Sequence, residues 1–221
     1  GAAASRADAV AFTIAPMVPA PDWIASLRAA LSEHEAVGGA IDPAPGLRVA
    51  DWAEYFCRYA RDMRPFPARP NRNLPGDNAA FARARLVEIG EALRTGYWEP
   101  IAHPALERRG VVLWHTPDVV VRMGRSAGFR AFCRQRLEHG RRYGHQRGTS
   151  FATARLGVGV AAAPAVPFLM TARVVREVLT RRRYRGRLMV ALPIVFAYNA
   201  VWALAEARGL LEVLRGRTDG A

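Results

Sequence analysis

The period of the apolar positions changes several times along the chain. Val10–Ile14 is a short apolar run of strand type, and Pro16, Pro19 and Pro21 force an extended turn after it. Asp22–His34 reads as a helix and "AVGGAID" as a short strand. "ADWAEYFCRYARDM" returns to helical spacing, with Trp52, Phe56, Tyr59 and Met63 on one stripe, the signature of a core-facing side. A polar loop rich in Gly and Pro, "PARPNRNLPGDN", leads to a helix near Ala82–Arg94. Then come "TGYWEPIAHPALERRG", a strand pair around "VVLWHTPDVVVRM", and a basic helix, "FRAFCRQRLEHGRRYGHQR". Two long apolar segments close the chain, Leu156–Ala172 and Leu188–Ala205, joined by "TRRRYRGR". The pattern predicts an α/β domain over residues 1–150 followed by an apolar, Arg-flanked helical hairpin over residues 151–221, with no internal repeat.

The hairpin raises the question of a membrane. Both segments sit near the lower length limit for spanning a bilayer and carry prolines, at 164 and 167 in the first and 193 in the second. If both spanned, "TRRRYRGR" would lie opposite the Arg-rich stretch that precedes the first, against the positive-inside tendency. A hairpin lying in the interface, or packed on the domain, keeps all the Arg on one side.

Composition sharpens this picture. The 221 residues carry a formal net charge of +13, and all 32 basic residues are Arg. Such a surplus calls for an anionic partner: a phosphate-bearing ligand, an acidic membrane face or nucleic acid. Nucleic acid fits least, because no basic stripe is interleaved with stacking aromatics. Two cysteines, Cys57 and Cys133, argue against a zinc site or a disulfide scaffold. No leader pattern opens the chain, and the early strand at Val10 reads as the middle of a domain.

Candidate chemistry is sparse. Pro100 suits the first position of a helix, which places Glu99 at its N-cap, where a carboxylate can act as a general base or simply complement the helix terminus. Gly76, Asp77 and Asn78 read as a turn into a helix whose open N–H groups could hold an anion or sugar hydroxyls. Arg134, Arg136, His139, Arg141 and Arg142 spread over more than one helix face, and a subset could clamp a diphosphate. His103, His115 and His145 lack a partner at metal-ligand spacing and read as structural. No G-x-S-x-G, P-loop or G-x-G-x-x-G occurs.

The order of these pieces is itself informative. "GAAASRADAVAFTIAPMVPAPDWIASLRAAL", "AVGGAIDP", "LPGDNAAFARARLVEIG", "GYWE", "LERRG", "TPDVVVRM" and "FRAFCRQRLEHGRRYG" together resemble family 2 glycosyltransferases, inverting enzymes of the GT-A, nucleotide-diphospho-sugar transferase fold. The ending "RLMVALPIVFAYNAVWALAEARGLLEVLRG" resembles the apolar tail of bacterial members. The resemblance implies a partial GT-A-like domain, its acceptor side, followed by a membrane-associated tail. It puts Glu99 at the position of the acid that deprotonates the acceptor hydroxyl. It puts Gly76, Asp77, Asn78 and Trp98 in the loops lining the sugar and acceptor. Gln135, Arg136, His139 and Arg141 fall around a Q-x-x-R-W-type element that contacts the leaving diphosphate or the acceptor, although Glu138 and His139 stand where Arg and Trp are expected.

Two departures accompany the resemblance. The donor-binding strands that precede Val10 in the family are not in this sequence. The positions where the family has metal-binding acids read Ile14, Ala15, Pro16 and Met17, which cannot coordinate the Mg²⁺ or Mn²⁺ that the family implies. The expectation is therefore no cofactor in this chain, and nucleotide-sugar binding only when the other half is supplied. The expected partners are a lipid-linked or cell-surface glycan acceptor and an anionic membrane surface, at the cytoplasmic face of the plasma membrane, with no nucleic acid. The competing expectation is a non-catalytic glycosyltransferase-like scaffold that binds a membrane or a partner protein.

Overall fold

The computed structural model describes residues 4–94 and 96–218. The chain is mixed α/β, with one sheet and a long C-terminal helix. It divides into two compact units: residues up to Pro45 together with Asp62–Gly124, and Gly46–Arg61 together with Arg125 onward. The compositional boundary near residue 150 marks a change in polarity, whereas these units group elements by contact.

The first unit holds the sheet. Its strands are β1 (Ala9–Thr13), β2 (Met17–Pro19), β3 (Ala36–Pro43), β4 (Arg69–Pro70), β5 (Asn78–Ala82) and β6 (Leu113–Met123), and its helices are α1 (Trp23–Leu31), α3 (Arg83–Glu88) and α4 (Glu99–Glu107). The order is β1-β5-β3-β6-β2, with β4 also paired to β6. Among the described residues only β3 and β6 pair in parallel, and the other pairings are antiparallel. Strands β1 and β2 thus occupy opposite ends of the order, yet only Ile14, Ala15 and Pro16 join them. A flat sheet would put them about 19 Å apart, at roughly 4.8 Å per strand. The link reaches at most about 14 Å. The sheet must therefore roll, and the turn is fixed by Met17 N–H donating to Ile14 C=O at 2.9 Å and Gly124 N–H to Pro16 C=O at 2.6 Å.

Several sequence expectations shift here. Val10–Ile14 reads from its apolar run as a buried strand, but β1 is a half-exposed edge strand that packs Val10 and Phe12 on the core through one face. "VVLWHTPDVVVRM" forms the single strand β6 rather than a pair, because the irregularity opposite Gly38–Ala40 absorbs Pro117 without ending the ladder. "GDN" opens a strand, not a helix: Asn78 N–H closes a turn on Pro75 C=O at 3.0 Å, and β5 pairs on both sides, to β1 and β3. Its ladder uses the N–H groups that a helix start would have left open. The helix expected near Ala82–Arg94 is the shorter α3, followed by a 3-10 turn at Gly90–Leu93.

The second unit is helical: α2 (Val49–Tyr59), α5 (Phe129–Thr149), α6 (Thr153–Ala161), α7 (Val166–Arg181) and α8 (Arg185–Thr218). The stripe on α2 buries Trp52, Phe56 and Tyr59, joined by Tyr55, each burial worth roughly 2 kcal/mol. Asp51 ties the start of α2 to the approach to α5, accepting hydrogen bonds from the Arg48 backbone and guanidinium and from the Ser126 backbone and hydroxyl. Helices α5 and α8 run in parallel, since Phe132 meets Tyr198, Arg136 meets Asn199, and Gly148 meets Leu210 and Val213. Glycines four residues apart (Gly140, Gly144, Gly148) put the α5 backbone directly on α8. A Cβ at Gly144 would overlap the Glu206 carbonyl oxygen, and one at Gly209 would overlap Arg141. The first apolar segment does not form one helix: around Pro164 it breaks into α6 and α7, bent by 44°. The second lies within α8, which continues through Pro193.

Candidate functional site

In the first unit the candidates gather at the start of α4. Trp98, in extended conformation, is the N-cap, and Glu99 and Pro100 form the first turn, one position later than the sequence suggests. Ala102, His103 and Leu106, three, four and seven residues after Glu99, lie on its own side of α4 and are buried, with Ala102, Ala105 and Leu106 in a core that includes Leu74, Phe81 and Leu113. That packing fixes where Glu99 points. A Cβ at Gly76 would overlap Glu99 Oε1, so glycine is what lets the carboxylate lie against the Pro75–Asn78 turn.

Tyr97 lies beside these groups. Its ring stacks on Phe12 at 4.6 Å between centroids, and its hydroxyl shares a 2.8 Å hydrogen bond with Nε2 of the buried His103. Burial, and then the carboxylates of Glu99 and Asp77, raise its pKa well above the usual tyrosine range. The same two carboxylates therefore act on one hydroxyl, and Gly76, Asp77 and Glu99 share one locality. In the sequence, Tyr97 is marked only by its place before Trp98, Glu99 and Pro100.

Asn78 is fully buried and differently employed. Its side-chain N–H₂ donates to Ala40 C=O at 2.9 Å and Val119 C=O at 3.0 Å, and its Oδ1 accepts from Trp23 Nε1 at 2.8 Å. Those bonds brace three strands and α1. His115 is likewise buried, stacked on Phe66 and 3.5 Å from Asp62 Oδ1.

The remaining candidates lie on α5, in the second unit, and do not form one cluster. Gln135 and His139 are one helical turn apart. Gln135 Oε1 accepts from Arg58 Nη1 at 3.4 Å, and burial, followed by the positive charge of Arg58, lowers the pKa of His139. Arg136 turns onto α8 instead. Its Nη2 donates to Asn199 Oδ1 at 3.0 Å, and its guanidinium lies 4.6 Å from the Trp202 ring centroid. Arg141 pairs with Glu212 of α8 at 2.8 Å, an exposed bridge worth about 0–1 kcal/mol.

Among the described residues, no group of three or more His, Cys, Asp and Glu side chains is arranged to hold a metal ion. The Ile14–Met17 turn offers no side-chain oxygen, so it does not fit a divalent cation. The sequence matches no protein-family model, and no curated protein matches it significantly.

Proposed function

We propose that the chain is the acceptor-side portion of an inverting, family 2-like glycosyltransferase that works at a membrane on a lipid-linked or cell-surface glycan. The observation that carries the reading is Glu99 at the start of α4, held against Gly76 beside Asp77. In this reading Glu99 takes the proton of an acceptor hydroxyl as that oxygen attacks the anomeric carbon. The nucleoside diphosphate leaves from the opposite face, so a single base suffices for inversion. The donor and its cation would be held by groups outside this sequence, because residues 14–17 do not suit them. That neutral turn equally favours a second reading, a glycosyltransferase-like scaffold without catalysis.

Membrane residence is supported by α8. Over Arg185–Gly216 it has the length and composition to cross a bilayer, and only 39% of its apolar stretch is buried within the protein. Sedimentation with anionic vesicles tests this; a protein that stays wholly in the supernatant removes the membrane from the proposal.

Activity is tested on the chain alone and with a donor-binding half supplied. The chain alone should release negligible nucleoside diphosphate from any nucleotide-sugar. With the donor half, Glu99→Gln should lower kcat by about 10²–10⁴-fold with donor KM nearly unchanged. Normal turnover in that variant would take Glu99 out of the mechanism.

A further inference from the structure

The helical unit contains a cavity of about 410 Å³, walled by α5, the broken α6–α7 pair and α8. This volume is in the range of small-molecule sites. Its polar wall is Arg136, Arg147, Arg173, Trp202 and Glu206. Three guanidiniums thus face one carboxylate. Glu206 is taken up by Arg147, at 2.7 Å, and by Trp202 Nε1, at 3.3 Å. Arg173 has no acidic partner among the described residues.

Arg136 is the informative group. It is 9% exposed, and its Nε has no hydrogen-bond partner. A buried cation is costly unless an anion accompanies it. The Asn199 oxygen and the Trp202 face are neutral, and the Glu54 carboxylate of α2 acts on it without a direct ion pair, so its charge is met only in part.

The rest of the wall is apolar and opens outward. Leu169 lines the cavity and is 59% exposed, and Phe168 on α7 and Leu204 on α8 are exposed as well. A soluble phosphate would have no use for such a rim, whereas a hydrocarbon chain would.

We propose that this cavity binds the phosphate group of an anionic lipid, with Arg136 and Arg173 on the phosphate oxygens and the hydrocarbon leaving past Leu169 along the apolar side of α7 and α8. Guanidinium forks suit phosphate oxygens, and the cation–π stack on Trp202 holds the Arg136 fork in place. The site rests on the membrane side of the proposed function and is independent of Glu99.

The test uses short-chain lipids below their micelle concentration, with binding to the full chain followed by calorimetry. Dihexanoyl phosphatidic acid should bind about tenfold or more tighter than glycerol 3-phosphate or inorganic phosphate, and tighter than dihexanoyl phosphatidylcholine. Arg136→Met and Arg173→Gln should each weaken it by about tenfold, while Arg130→Gln, outside the cavity, leaves it unchanged. Arg173 is exposed, so its variant reads out binding even where Arg136→Met disturbs folding. Equal affinity for inorganic phosphate and the lipid, or undiminished binding by Arg173→Gln, overturns the proposal. Binding of the short-chain lipid without binding of anionic vesicles keeps the site and refutes membrane residence.

Discussion

The same substitution, glycine to alanine, should have opposite effects at two helical positions. Gly157 in α6 has nothing within 4 Å of the place where a Cβ would go. Alanine there gains only helix propensity, about 1 kcal/mol. Gly144 in α5 faces α8, where an added Cβ would overlap the Glu206 carbonyl oxygen and lie 3.0 Å from its Cα. These are backbone atoms of a continuous helix and cannot swing aside, so α5 and α8 must separate. A gap of about 0.5–1 Å forfeits a quarter to a half of the dispersion energy of each contact that opens. Overpacking of this kind costs about 1–3 kcal/mol and outweighs the propensity gain. For a chain of this size each kcal/mol moves Tm by about 2–4 °C. Thermal melts followed by circular dichroism should show Gly157→Ala rising and Gly144→Ala falling. Shifts in the same direction, or a Gly144→Ala protein that melts above the parent, would refute the close approach of the two helices.

Two further outcomes test the bracing of each unit. Burial acts to raise the Asp51 pKa, but its hydrogen bonds from Arg48 and Ser126 prevail and hold the carboxyl well below the usual range. Its stabilisation is therefore complete above the unfolded value, about 4, and is lost as pH falls toward the depressed folded value. Asp51→Asn should flatten the acid limb of a Tm-against-pH curve; an unchanged limb means that Asp51 does not carry it. Asn78→Ala should destabilise the sheet unit by about 2–4 kcal/mol, since it orphans two carbonyls and the Trp23 indole N–H. A denaturant melt that shows a loss below about 1 kcal/mol would contradict that bracing role.

The candidate site was partly legible in the sequence. Pro100 marked the start of α4 and hence the prominence of Glu99, because a proline fixed near helical φ acts locally. The approach of Glu99 to Gly76 was not legible from spacing, since the two lie on separate segments brought together by the core beneath α4. The grouping of Gln135, Arg136, His139 and Arg141 was legible only as a stretch of one helix. Which face each residue occupies depended on where α8 packs, and that left Arg136 buried and Arg141 in an exposed ion pair. The glycines at 140, 144 and 148 were a readable sign of that packing, but the α8 residues they meet lie about sixty residues further on.

By itself the sequence determined the features set by short-range chemistry. These are the ligand-free turn that follows β1, the aromatic stripe of α2, the basic helix α5 and the apolar run of α8. Turn chemistry, helical period and proline geometry act within a few residues, so they can be read in one dimension. The tertiary structure alone decided that "NAAFA" is a strand between two others, that β6 is continuous, and that β1 and β2 close opposite ends of a rolled sheet. It alone put Asn78 between strands and Arg136 in a cavity wall. Such outcomes depend on which distant segment supplies the hydrogen-bond partner or the packing surface, and a local pattern does not specify that segment.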